Sequence, residues 1–95
     1  MLPVVWLSSA RDDLRQMLPI LLAKIHLLAR RMKRFLEASV LPLAEHPYLY
    51  RQSEKVLGLR EIVAHPNYLI LYRVAAHKIE IVAVVHARRE FPIFL

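Results

Sequence analysis

The apolar positions of the chain change their spacing near its middle. Between residues 9 and 44 they recur every third or fourth position, a period that predicts helices. This stripe includes Leu14, Leu18, Leu21, Ile25, Met32, Leu36 and Val40. From residue 59 onward, apolar residues form short runs rich in valine, isoleucine and tyrosine, which predicts strands. The pattern therefore predicts a helical half followed by a half that forms a sheet.

The helical half is predicted to begin at Ser9 and to be disturbed at Pro19. Ser9 offers a side-chain oxygen to the N–H groups of a first turn, and Asp12 and Asp13 place negative charge there. Pro19 lacks a backbone donor and clashes with the preceding turn, so the first helix should kink there or stop near Leu18. We expect a helical hairpin or a kinked long helix.

Four segments have the composition of strands. Residues 4–7 form a short first strand, and residues 59–64, 68–75 and 79–86 form three more. Gly58, the only glycine, precedes the last three of these segments and should adopt a backbone conformation that other residues resist. The expected fold is α+β, with an N-terminal strand, a helical hairpin and an antiparallel three-stranded meander in one domain, residues 1–95.

The last strand should alternate between two faces of the sheet. Strict alternation places Ile79, Ile81, Ala83 and Val85 on one face, with Val82 and Val84 on the other. Tyr68 and Tyr72 share a face of the preceding strand, and we expect them to pack in the core or at its rim rather than stack on a base.

Composition narrows the function classes. Fourteen lysines and arginines against eight acidic residues give a formal charge of +6, which predicts an acidic partner. The chain has no cysteine, which excludes disulfides and thiol nucleophiles, and a single glycine excludes a phosphate-binding loop. No two of the five histidines are spaced as ligands on one helical turn, so we expect no metal site and no cofactor; the alternative is a metal site built from histidines and carboxylates far apart in sequence. No signal peptide and no membrane-length apolar run is present, so we expect a cytoplasmic protein.

Cationic residues in the sheet half are candidates for binding. Arg60 and Arg73 lie on consecutive predicted strands, and in a meander they could share one basic edge with residues 86–89. The alternative is that Arg60 or Arg73 pairs with Glu61 or Glu80 on a neighbouring strand. The alternative for residues 86–89 is a solvated strand end.

The residues of several blocks resemble the ParE toxins of the ParE/RelE superfamily. The blocks are residues 40–50, 58–63, 65–74 and 85–92, and residues 2–14 also fit. The resemblance implies a growth-arrest toxin of a type II toxin-antitoxin module, of the kind that stabilises plasmids, neutralised by an acidic ParD-like antitoxin. It implies DNA gyrase, at its A subunit, as a target whose cleavage complex is trapped. Such a toxin is a binding poison and not an enzyme, and it meets nucleic acid only through gyrase.

Candidate residues follow from this resemblance. The candidate target-binding residues are Arg60, Arg73, His86, Arg88, Arg89, Phe91, Ile93 and Phe94. The candidate antitoxin-binding residues are Trp6, Leu14, Leu18, Arg31, Arg34 and Phe35. The apolar residues after position 90 either tuck against the sheet or dock on a partner.

Two alternative functions remain open. RelE-like toxins cleave messenger RNA on the ribosome, and His86, Arg88 and Arg89 would serve that phosphate chemistry. Leu69 follows Tyr68 where that branch often carries an arginine, and the chain ends at Leu95 without the usual C-terminal helix, so gyrase poisoning is favoured. Residues 17–28 lack the family's polar hairpin turn, which makes a degenerate module that only binds antitoxin the second alternative.

Overall fold

The computed structural model describes residues 1–22 and 26–86, and the side chains of all of these except residues 17–22 and 26–29. In chain order the elements are strand β1 (Val4–Trp6), helix α1 (Ser8–Leu22), helix α2 (His26–Ser39), a 3-10 helix (Leu41–Ala44), and strands β2 (Arg60–His65), β3 (Tyr68–Val74) and β4 (Ile79–His86). The α+β prediction is confirmed, and each predicted strand lies within one residue of its observed bounds.

The sheet has four strands in the order β1-β4-β3-β2. Strands β2, β3 and β4 form the predicted antiparallel meander. Strand β1 pairs in parallel with β4, with Val4 opposite Ile79 and Trp6 opposite Ile81. The Ile79 N–H donates to the Pro3 carbonyl at 2.8 Å, and the Leu7 N–H donates to the Ile81 carbonyl at 3.0 Å. The first strand thus extends the meander on the side of its last strand.

The two helices pack against each other and cover one face of the sheet, α1 mainly over β4 and α2 towards β2. Helix α1 continues past Pro19 to Leu22, so of the two expected outcomes, a kink at Pro19 or a stop near Leu18, the stop is wrong. The segment predicted to lack a polar turn, residues 17–28, is described only in part. The structure gives the backbone but not the side chains of residues 17–22 and 26–28, and residues 23–25 lie outside the described residues. Within the described ranges, no helix is both long and apolar enough to cross a membrane.

The sheet carries an apolar cluster on each face. The cluster under the helices is formed by Ala10, Leu14, Leu36, Val40, Leu43, Ile62, Ile70, Tyr72, Ile79, Ile81 and Val84. The cluster on the other face is formed by Leu59, Leu71, Val82, Ala83 and Val85. The predicted alternation of β4 is therefore wrong beyond Ile81, because Val84 lies under the helices and Ala83 does not.

A register shift in β4 explains this change of face. Leu71 pairs with Ala83, while the next residue of β3, Tyr72, pairs with Ile81, so Val82 is an extra residue in β4. Such a bulge reverses the face on which every later side chain lies. The shift gives both faces of the last strand an apolar surface.

Helix α1 satisfies the backbone of β4 at this bulge. The Ser9 hydroxyl donates to the Val82 carbonyl at 2.5 Å, and the Asp13 carboxylate accepts the Val84 N–H at 2.9 Å. Burial raises the pKa of the Asp13 carboxyl, and nearby Asp12 adds to this effect, while the hydrogen bond from Val84 opposes it. The predicted cap at Ser9 is wrong because α1 begins at Ser8, which places Ser9 inside the helix, where its hydroxyl donates to the sheet.

Gly58 and Glu61 organise the loop before β2. Gly58 has φ +85°, as the sequence predicted. Glu61 is 7% exposed, and its carboxylate accepts hydrogen bonds from the Arg51 guanidinium at 3.1 Å and from the Ser53 hydroxyl at 3.0 Å. The Glu61 N–H also donates to the Arg51 carbonyl at 3.0 Å. These contacts hold the loop along the first half of the β2 edge.

Candidate functional site

Arg60 lies at the start of β2, on the face of the sheet that the helices cover. Its Nη1 donates a hydrogen bond to the Tyr50 carbonyl at 2.7 Å, and its guanidinium carbon lies 4.9 Å from the centre of the Tyr48 ring. A guanidinium over an aromatic face is an attractive cation-π arrangement. Both contacts fix the side chain without neutralising its charge.

Tyr72, directly opposite Arg60 on β3, holds the same loop in place. Its side chain is fully buried, which confirms the expected core packing, and its hydroxyl donates to the Pro47 carbonyl at 2.9 Å. Burial raises the pKa of the Tyr72 phenol and outweighs the Tyr50 backbone and the Arg60 charge, which both lower it. Residues 47–50 are thus bonded to the sheet at two points.

Arg73 lies on the opposite face of the sheet, where it pairs with an acid. Its Nε donates to the Glu80 carboxylate at 2.6 Å, and Lys78 lies 3.7 Å from the same carboxylate. The hydrogen bond from Arg73 is the largest cause of a lowered pKa of the Glu80 carboxyl. Burial acts in the opposite direction, and the positive charges of Arg73 and Lys78 lower this pKa further. The cross-strand alternative is confirmed for Arg73, whereas Glu61 pairs with Arg51 and not with Arg60.

The structure does not bring the described candidates Arg60, Arg73 and His86 to one basic edge. Arg60 and Arg73 face opposite sides of the sheet, because Arg60 is aligned with Tyr72 and side chains alternate along β3. His86 pairs with Tyr68 at the far end of β3, five residues from Arg73, or roughly 17 Å at ~3.4 Å per residue. The hypothesis of a shared edge for Arg60, Arg73 and His86 is wrong.

His86 belongs instead to a row of rings at that far end of the sheet. Ring centres are separated by 6.1 Å between Phe35 and His65, 5.9 Å between His65 and Tyr68, and 5.3 Å between Tyr68 and His86. His65 Nδ1 accepts the Asn67 N–H at 3.0 Å, which leaves the proton of the neutral ring on Nε2. The row spans α2 and three strands.

The remaining target-binding candidates come after His86 in the sequence. Arg88, Arg89, Phe91, Ile93 and Phe94 lie outside the described residues, which end at His86.

A groove of about 290 Å³ is bordered by β1 and by residues of both helices. It is lined by Trp6, Arg11, Leu14, Arg15, Lys33 and Glu37. Three cations and one acid surround a half-buried tryptophan and a buried leucine, so the groove combines apolar surface with positive charge. Such a surface suits an acidic partner that also carries apolar side chains.

The described antitoxin-binding candidates divide between this groove and other positions on α2. Trp6 and Leu14 line the groove, whereas Arg31, Arg34 and Phe35 do not line it. Phe35 is 49% exposed and contacts His65 on the β2 side of α2. Leu18 lies in α1, and its side chain is outside the description.

Sequence reasoning overlooked several residues at these sites. Arg11 and Arg15, like Lys33 and Glu37, are four residues apart on a helix and therefore neighbours on one face, a signal that was present in the sequence. Tyr48 gave no such signal, because its contact with Arg60 depends on how the loop folds. Among the described side chains, no group of three or more potential metal ligands lies close enough together to hold an ion.

Comparisons with known proteins identify a matching family model and a solved structure of similar fold. Residues 4–91 match the family described as ParE toxin of type II toxin-antitoxin system, parDE. The solved structure titled "Chromosomal ParDE TA system from P. aeruginosa" is similar to this fold with a TM-score of 0.79 and 22% sequence identity, over 90% of this chain and 96% of that chain. No curated protein matches the chain by sequence.

Proposed function

The chain belongs to the ParE toxin family of type II toxin-antitoxin systems, and on this premise we propose that it arrests growth by binding DNA gyrase, at its A subunit, and trapping the cleaved-DNA intermediate. The observation that carries the proposal is the family match, which extends over residues 4–91. The inhibition would occur in the cytoplasm, where gyrase acts. No step of this function requires the toxin to break a bond.

The direct test is a supercoiling reaction with purified gyrase, plasmid DNA and the full chain. We expect supercoiling to be inhibited and linear plasmid to accumulate after the proteins are removed, because a trapped cleavage complex leaves both strands cut. Arg88→Ala and removal of residues 93–95 should weaken the effect several-fold, with Arg34→Ala as a control that removes an exposed arginine of α2. Unchanged supercoiling at saturating toxin would exclude gyrase as the target.

The partner that neutralises the toxin is proposed to be an acidic ParD-like antitoxin. The groove beside β1 supports this, since Arg11, Arg15 and Lys33 surround the apolar surface of Trp6. An antitoxin segment that folds into an amphipathic helix would place apolar residues on Trp6 and acids beside the cations. We expect Arg15→Glu to weaken the complex at least ten-fold in calorimetry and Arg73→Glu to leave it within two-fold.

The row of His65, Tyr68 and His86 favours a second candidate function, cleavage of ribosome-bound messenger RNA. Two imidazoles and a phenol on adjacent strands are groups that can exchange protons with a ribose hydroxyl or a phosphate. This candidate predicts loss of cleavage for His86→Ala with gyrase unaffected. A degenerate module would instead bind antitoxin while cells that express the chain grow normally.

A further inference from the structure

Arg60 differs from the other arginines that contact the sheet or its loop. Arg51 is paired with Glu61, and Arg73 is paired with Glu80. In the described part of the chain, Arg60 forms no ion pair with a carboxylate. The described residues that hold it are Tyr50, through its carbonyl, and Tyr48, through its ring, and neither of these groups carries a compensating charge.

Within the described residues, the guanidinium of the partly buried Arg60 keeps N–H donors that have no hydrogen-bond partner. A guanidinium has five N–H donors, and the described residues account for one hydrogen bond, through Nη1. The Nε and Nη2 edge can donate two parallel hydrogen bonds, the geometry that matches a phosphate. Because the side chain is already fixed, an anion that binds it loses little of the affinity to ordering the arginine.

Tyr48 places an aromatic face beside this charge. The side chain is 67% exposed although Tyr72 and Arg60 bond its loop to the sheet, so an aromatic surface is held in solvent at a defined position. One face of the ring lies against Arg60. An aromatic ring next to a phosphate donor is the combination by which proteins bind single-stranded nucleic acid, with the base stacked and the backbone neutralised.

We propose that Arg60 and Tyr48 form a binding site for one nucleotide of single-stranded or unpaired DNA, with the phosphate on Arg60 and the base on Tyr48. The formal charge of +6 supports a polyanionic ligand. This site goes beyond gyrase inhibition, since a toxin that contacts only the gyrase protein would not need it. It gives the toxin a direct contact with DNA.

The test is fluorescence anisotropy of a labelled twelve-nucleotide oligothymidine with the full chain, repeated over a series of salt concentrations. Arg60→Gln should weaken binding at least five-fold and reduce the slope of log K against log salt by about 0.7, the value for one phosphate of a single strand. Arg73→Gln removes the same formal charge but should leave affinity within two-fold and the slope unchanged, because Glu80 already neutralises Arg73.

Variants of the tyrosines separate stacking from loop position. Tyr48→Ala should weaken binding at least five-fold with an unchanged salt slope, and Tyr48→Phe should bind as the parent does, because it keeps the ring. Tyr72→Phe removes the hydrogen bond to Pro47 but keeps Arg60, Tyr48 and the net charge. Its oligonucleotide affinity therefore measures the effect of a loosened loop alone. It should keep the parent's salt slope.

Three results would overturn the inference. These are equal salt slopes for Arg60→Gln and Arg73→Gln, no effect of Tyr48→Ala, and tighter binding of a phosphotyrosine peptide than of the oligonucleotide. The last result would assign the site to a phosphoprotein. The assay contains no gyrase, so its result is independent of the proposed function. A chain that poisons gyrase but does not bind the oligonucleotide contradicts only this inference. A chain that binds the oligonucleotide but does not poison gyrase contradicts only the proposed gyrase inhibition.

Discussion

Replacement of Asp13 by alanine should destabilise the fold through the bulge of β4. The Asp13 carboxylate accepts the Val84 N–H at 2.9 Å, and Val84 is only 6% exposed, so alanine leaves a buried donor without a partner. An orphaned buried donor costs about 1–3 kcal/mol of the free energy of unfolding. Taking about 2 kcal/mol, and about 4–8 °C per kcal/mol for a domain of this size, Tm should fall by about 8–16 °C.

Asp13→Asn is the matched control, because its side-chain oxygen can still accept the Val84 N–H without a buried charge. We expect it to lie within about 1 kcal/mol of the parent at neutral pH. The folded-state pKa of Asp13 is raised, so the parent is relatively most stable when this carboxyl is protonated and loses stability as the pH rises through the raised pKa. The free energy of unfolding of Asp13→Asn should therefore rise relative to that of the parent as the pH increases from acid to neutral.

The measurements are thermal and urea unfolding of the three proteins, followed by circular dichroism at several pH values. Equal stability of Asp13→Ala and the parent would show that the Val84 N–H finds another partner and would refute the role given to this contact. A loss for Asp13→Asn as large as that for Asp13→Ala would show that the charge itself holds the strand.

Three further changes test other parts of the fold. Gly58→Ala should cost about 1–2 kcal/mol in urea unfolding, because φ is +85° and no atom lies near enough to clash, and Gly58→Asn should cost less. Leu36→Ala should cost about 3–4 kcal/mol, because the side chain is fully buried under the helices, whereas exposed Arg34→Ala should stay within about 0.5 kcal/mol. Glu80→Gln should be less stable than the parent at neutral pH, and the difference in Tm should shrink as the pH falls through the lowered pKa of Glu80.

The strand bounds were predictable because each strand has a local signal. Gly58 and the turn at residues 65–67 separate runs of β-branched residues, and the observed strands follow these limits. The faces of β4 were not predictable beyond Ile81, since Val82 resembles its neighbours and a bulge depends on pairing with β3. The partner of β1 was also hidden, because a parallel pairing between the two ends of the described chain leaves no local pattern.

The candidate sites show the same limit. Opposite charges on neighbouring strands made a pair between Arg73 and Glu80 one of the alternatives, and the structure contains it. The separation of Arg60 from Arg73 required the register, because a shift of one residue exchanges the faces. Ser9 and Asp13 have the sequence of a helix start, and only the position of α1 against β4 reveals that they bond to the sheet.

The parallel pair of β1 and β4 also determines when the protein can fold during its own synthesis. Strand β1 leaves the ribosome first, yet its partner emerges only after the helices and the other two strands. Until then the inner side of the helical hairpin has no complete sheet to cover, and such unfinished apolar surface is prone to aggregation. A chain of this kind therefore completes its sheet, and every surface that depends on the sheet, only after β4 has been made.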